Sequence, residues 1–149
     1  TVMCARVGRD PQLLYSKLIE QCSLHAMPNK YIWHGGGGIE DANGVPNGIN
    51  EMMLQSHEDI LRIFPVWPKG KDASFVNLRA YGAFLVSASI TGDRVDFIEV
   101  ESEKGRELTI DLPWEKTLVQ EGESVPYEVN LPRLTVSTKA GETLRFHRA

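Results

Sequence analysis

Glu40 and Asp41 stand side by side directly after Ile39 and the glycine run at positions 35 to 38. Two acids held at one place can divide a proton-transfer reaction. One protonates a leaving oxygen while the other activates water or attacks directly, which is what cleavage of a glycosidic bond requires. Pro46 predicts a helix start just downstream, and a carboxylate lying before a helix N-terminus is held ionised by the dipole. That state suits a base or an orienting group better than an acid. The plainer reading of the pair is two solvated loop acids.

Other chemistry is weaker on the page. His34 and His57, with Glu40 or Asp41, match no compact ligand spacing, so structural or surface histidines are expected and no metal is called for. Asp41-Ala-Asn-Gly44 lacks the later Asp and Glu of an EF-hand loop. The glycine run lacks the Lys-Ser/Thr of a P-loop and no dinucleotide fingerprint precedes it, so no cofactor is expected. Trp33, Trp67 and Trp114, with Tyr31 and Tyr81, offer faces for stacking on sugar rings, or else pack a core or an interdomain seam. The second use is the expected one.

The elements that must position these residues follow from periodicity. Val2 to Val7 reads as the end of a helix stopped by Gly8. Asp10-Pro11 opens a second helix, with Leu14, Leu18, Cys22 and His25 along one stripe. Cys4 and Cys22 fall in these helices and read as small apolar residues, although pairing is open. The glycine run is expected to be a shaped loop rather than a linker, because aromatic and acidic residues flank it instead of Ser or a charge run. From Pro46 the positions Ile49, Met52, Met53, Ser56, Ile60 and Leu61 predict a helix to about Leu61, with Glu51 near its positive end. Arg62 to Pro68 reads as an extended crossover ending in a polar turn, Lys69 to Asp72. Beyond it the period becomes two. Leu78, Ala80, Gly82, Phe84, Val86, Ala88 and Ile90 predict one long strand, and shorter strands follow as far as Phe146, as in an antiparallel sandwich. The fold class is therefore α+β, divided into 1-65 and 66-149.

With 149 residues, 42% hydrophobic and 24% charged, the composition is that of a globular chain. A net charge of −4 without clustered Lys or Arg argues against nucleic acid as a partner. No apolar run is long enough to span a membrane and no signal peptide is visible. Because the chain opens at Thr1, it is expected to be a piece of a longer protein whose targeting signal, if any, lies upstream.

At Gly48-Ile-Asn-Glu-Met-Met-Leu-Gln-Ser-His57, then Leu61 to Pro68 and Leu78-Arg-Ala-Tyr-Gly-Ala-Phe84, the chain resembles the C-terminal end of family 95 glycoside hydrolases, the inverting α-L-fucosidases and their relatives. The resemblance covers most of the chain, and the Glu-Met-x-Leu-Gln-Ser-His run is its most specific part. It implies the closing helices of an (α/α)6 barrel, a crossover and a β-sandwich domain. In that family an Asp-Gly-Asn-Phe-Gly-type segment precedes this helix, and its Asp helps to activate the hydrolytic water. The matching position is Glu40, with Asp41 one residue on as the alternative; the neighbouring Gly and Asn of the family pattern are Asp41 and Ala42 here. The resemblance implies a sugar site drawn from the segment between His34 and Asn43, with Trp33, His34 and Asn43 as substrate-binding candidates. The general acid would lie upstream. An oligosaccharide or polysaccharide substrate, the upstream barrel as intramolecular partner, and a periplasmic or secreted bacterial location are the further expectations. The competing expectation is a structural or carbohydrate-binding β module.

Overall fold

α1 (Val2–Arg6) is closed by Gly8, whose φ of +66° few side chains tolerate. α2 (Pro11–His25) starts where Asp10-Pro11 places it: the Asp10 carboxylate accepts from the Leu13 amide at 2.8 Å, and Pro11, which has no N–H to leave orphaned, opens the helix. These elements belong to a computed structural model that describes residues 2–28 and 39–149, with backbone alone for 39–42. Leu14 and Leu18 are the buried residues of α2, and both cysteines are free and half-buried against the same apolar cluster.

α3 (Ile39–Met53) departs from the sequence reading at both ends. It is already helical at Ile39, so Pro46 lies in its interior, where the ring removes one intrahelical hydrogen bond. Burial offsets that loss, because Val45 and Met52 lie two turns apart on one face and are buried with Ile49 packed against them. The helix also stops at Met53 rather than near Leu61. There β1 (Leu54–Gln55) pairs antiparallel with β2 (Arg62–Ile63) around a short 3-10 turn, His57–Asp59. The reason lies in Leu61: its amide donates to the Thr109 carbonyl at 2.8 Å, and its carbonyl accepts from the Asp111 amide at 2.9 Å. A helix ending at Leu61 would have spent its amide on the helix and left its carbonyl without an intrahelical partner.

The long strand expected from 78 to 90 is a hairpin, β3 (Ala73–Ala80) and β4 (Phe84–Thr91). Period-two alternation runs through both arms, so periodicity alone conceals the reversal. Gly82 makes it, at φ +85°, followed by Ala83 at +62°. A Cβ on Gly82 would lie 2.6 Å from the Phe84 ring, so no side chain fits there without moving that ring. β5 (Arg94–Ser102), β6 (Glu107–Asp111), β7 (Thr117–Glu121), β8 (Tyr127–Val129), β9 (Arg133–Ser137) and β10 (Glu142–Arg148) complete the set. They form an antiparallel six-stranded sheet in the order β3-β4-β5-β10-β7-β8, with β6 and β9 paired separately. Val86, Ile98, Val100, Val119, Leu144 and Phe146 are sealed from solvent along the large sheet, as are Leu108 and Ile110 on β6.

The chain is thus mixed helix and antiparallel sheet. By packing it resolves into two units that are each discontinuous in sequence. One is Thr1–Met53 with Phe64–Lys69; the other is Leu54–Ile63 with Gly70–Ala149.

Candidate functional site

The start of α3 at Ile39 puts the backbone of Glu40 and Asp41 in the first helical turn rather than ahead of it. The first turn is the positive end of a helix dipole. Trp33 and His34 lie outside the described residues, as do the side chains of Glu40 and Asp41. Asn43 is exposed in the second turn of α3.

The same shift moves Glu51 to the other end of the helix. Expected to complement the dipole, it instead lies in the last turn, where the dipole disfavours a carboxylate. Its compensation is an ion pair with Arg6 of α1, Nη2 to Oε1 at 2.5 Å. Met52 is completely buried in the helical core, Leu54 and Gln55 are buried on β1, and the Ser56 hydroxyl accepts from the Tyr81 amide at 3.0 Å. Four of the residues in the most specific run of the sequence, Glu51, Met52, Leu54 and Ser56, are therefore explained by folding. They secure the exit from α3 and the hairpin that follows.

His57 begins the 3-10 turn, and its Nδ1 is buried without a hydrogen-bond partner among the described residues. The two residues after it, Glu58 and Asp59, hold left-handed φ values of +63° and +58°, a conformation that costs a non-glycine residue about 1 kcal/mol or more. Arg62 spans the turn, with Nη2 on Glu58 Oε2 at 2.9 Å and Nε 3.5 Å from Asp111 Oδ2. Asp111 in turn takes a two-pronged contact from Arg133 at 2.5 and 3.1 Å. Nothing about this network resembles a metal centre, and among the described residues no group of three His, Cys, Asp or Glu could hold a metal ion. No described helix is long and apolar enough to cross a membrane.

The tryptophans divide by environment. Trp67 packs edge-on against Tyr15 and Phe64, with ring centroids 6.4 and 6.1 Å apart, and so serves the helical core. Trp114 is only half-buried, and its indole N–H donates to the Val95 carbonyl at 3.1 Å. It lines a cleft of about 760 Å³ in the sheet unit, with Arg94, Asp96, Glu115, Lys116 and Arg148 among the walls. Sequence reasoning grouped Trp114 with the other aromatics and had no means to separate it. The surrounding charges come from β5, β10 and the turn between β6 and β7, which only the sheet brings together.

No protein-family model matches the chain, and no curated protein matches it at a significant level.

Proposed function

We propose that this chain is the C-terminal part of a glycoside hydrolase similar to family 95, acting on α-linked sugars such as α-L-fucosides or related glycosides with inversion. The observation that carries the reading is the position of Glu40 and Asp41 in the first turn of α3, directly upstream of the Gly48 to His57 run. A carboxylate at that place is kept ionised by the helix dipole, as a base that activates water must be. In this reading α1 to α3 are closing helices of an (α/α)6 barrel, and the strands form the β-sandwich that follows it. Glu40 deprotonates the attacking water, and Asp41 flanks it. The general acid is supplied by the upstream barrel, on the far side of the sugar ring. Inverting hydrolases keep the two carboxyl groups about 6.5–9.5 Å apart to admit that water. Trp33, His34 and Asn43 contribute to the sugar subsite, and an oligosaccharide or polysaccharide is the substrate. The parent protein works in the periplasm or outside the cell, and this chain alone is inactive.

The test is turnover by the full-length parent enzyme on α-linked glycosides, with Glu40→Gln and Asp41→Asn made singly and together. Removing the water-activating carboxylate is expected to lower kcat by about a hundredfold or more while leaving KM nearly unchanged. Full turnover in the double variant would end the assignment.

A further inference from the structure

The cleft beside Trp114 has no part in the hydrolase reading, yet it has the make-up of a ligand site. Two depressions adjoin there. The first, of about 760 Å³, lies among the β4–β5 turn, the start of β5 and the end of β10; the second, of about 460 Å³, lies against Asn130 to Pro132. Pro113, Trp114 and Glu115 line both, so the two depressions meet along this segment. The orientation of the indole is fixed by the hydrogen bond from Nε1 to the Val95 carbonyl, which removes most of the cost of ordering the ring when a ligand arrives.

The polar walls are mixed in sign. Arg94, Lys116 and Arg148 supply only donors, while Asp96 and Glu115 supply acceptors. Lys116 is shared with Glu128 at 3.3 Å, but Arg94, Arg148 and Glu115 make no ion pair with any described residue. Asp96 Oδ2 already accepts from two hydroxyls, those of Ser89 at 2.8 Å and Thr91 at 2.9 Å. Unpaired donors and acceptors around one aromatic face suit a ligand with many hydroxyl groups and an apolar ring face. An anion would meet Asp96 and Glu115, and a purely apolar ligand would strand all of these charges.

We infer that the sheet unit carries a binding site for a neutral oligosaccharide of at least two rings, one of them stacked on Trp114 where the two depressions join. Hydroxyls on that ring and its neighbour exchange hydrogen bonds with Arg94, Asp96, Glu115 and Arg148. The site is independent of Glu40, and it gives the parent protein a second hold on the glycan chain.

The test is titration of the 149-residue chain with neutral gluco-, manno-, galacto-, xylo- and fuco-oligosaccharides at millimolar concentrations, followed by two-dimensional NMR. Resonance shifts are expected at Arg94, Glu115 and Arg148 for at least one series. Trp114→Ala should weaken binding about tenfold, the value of one ring stack. Tyr81→Ala, at an exposed aromatic elsewhere on the sheet unit, should leave it unchanged. Should Trp114→Ala prove unfolded, the surface variants Arg148→Ala and Glu115→Gln keep the site testable, each expected to weaken binding severalfold. The inference is overturned if no oligosaccharide moves these resonances, if the variants bind as the parent chain does, or if uronic or sulfated oligosaccharides bind more tightly than neutral ones. Because no turnover enters the measurement, its failure leaves the role of Glu40 standing, and the reverse also holds.

Discussion

The two units of this chain are built to different standards of closure. The helical unit gathers Ala5, Leu14, Leu18, Val45, Met52 and Val66 into a small cluster, while Met3, Leu13, Ile19 and Leu24 remain exposed on α1 and α2. Leu13 and Leu24 share one face of α2, three turns apart. In the sheet unit, Val86, Ile98, Val100, Val119, Leu144 and Phe146 on β4, β5, β7 and β10 are sealed completely, with exposed apolar side chains such as Val76 and Val125 lying outside that core. Apolar burial is the dominant favourable term in folding, so the sheet unit has the larger reserve against the loss of any one contact.

The largest expected effect lies in that difference. Phe146→Ala empties the centre of the sheet core and should cost about 3–5 kcal/mol, whereas Leu18→Ala in the helical cluster should cost nearer 2–3 kcal/mol because a small cluster collapses more readily. Native-state hydrogen exchange reads the two separately. Phe146→Ala should weaken protection in β5 and β10 and leave α2 as it was. If α2 lost protection to the same degree, the two units would be one cooperative body and the contrast would fail.

A smaller effect of opposite sign is expected at Thr117, which is fully buried on β7 with a hydroxyl that finds no partner among the described residues. An unsatisfied buried hydroxyl carries a desolvation penalty, and Thr117→Val keeps the shape while removing it. The variant should be more stable by about 1 kcal/mol, seen as a higher denaturant midpoint with unchanged slope. A loss of stability would mean that the hydroxyl is paired in solution.

The smallest effect concerns alkaline pH. Desolvation first, and then the hydrogen bond that its hydroxyl donates to Glu121 at 2.5 Å, push the Tyr127 phenol up to about 12. A raised pKa stabilises the fold below the unfolded value near 10, and that contribution is lost as pH climbs from there towards about 12. Tyrosinate absorbance should show one late-titrating tyrosine that disappears in Tyr127→Phe. The same variant should flatten the fall in sheet stability over that window and leave the helical unit untouched.

Local chemistry made much of this legible. The capping of α2 by Asp10-Pro11 and the stop at Gly8 involve groups within a few residues of one another, and both are found as expected. The shorter strands after residue 94 also lie where alternation and turn residues put them. The two departures arise where a local rule competes with a distant partner. Pro46 is a helix-start signal that burial of Val45 and Met52 overrides, and Leu61 sits at helical spacing but is drawn into β6 by Thr109 and Asp111. At Gly82 the alternation that defines a strand also survives a hairpin, so the reversal could be read only from the positive φ itself. For the candidate site, the adjacency of Glu40 and Asp41 was visible in the sequence, but the helix start was expected at Pro46 and lies instead at Ile39. The role of Glu51 was not visible, because its partner Arg6 lies 45 residues away.

What the sequence determined by itself was the coarse order of elements, helices first and strands after. Periodicity, capping and turn chemistry act over a few bonds and are written in neighbouring residues. What only the tertiary structure decided was which residues meet. The division into units that are each discontinuous in sequence and the mixed-charge cleft around Trp114 depend on strand order and on backbone groups paired across long separations. A buried N–H or C=O must find a partner somewhere, and the local sequence does not say where.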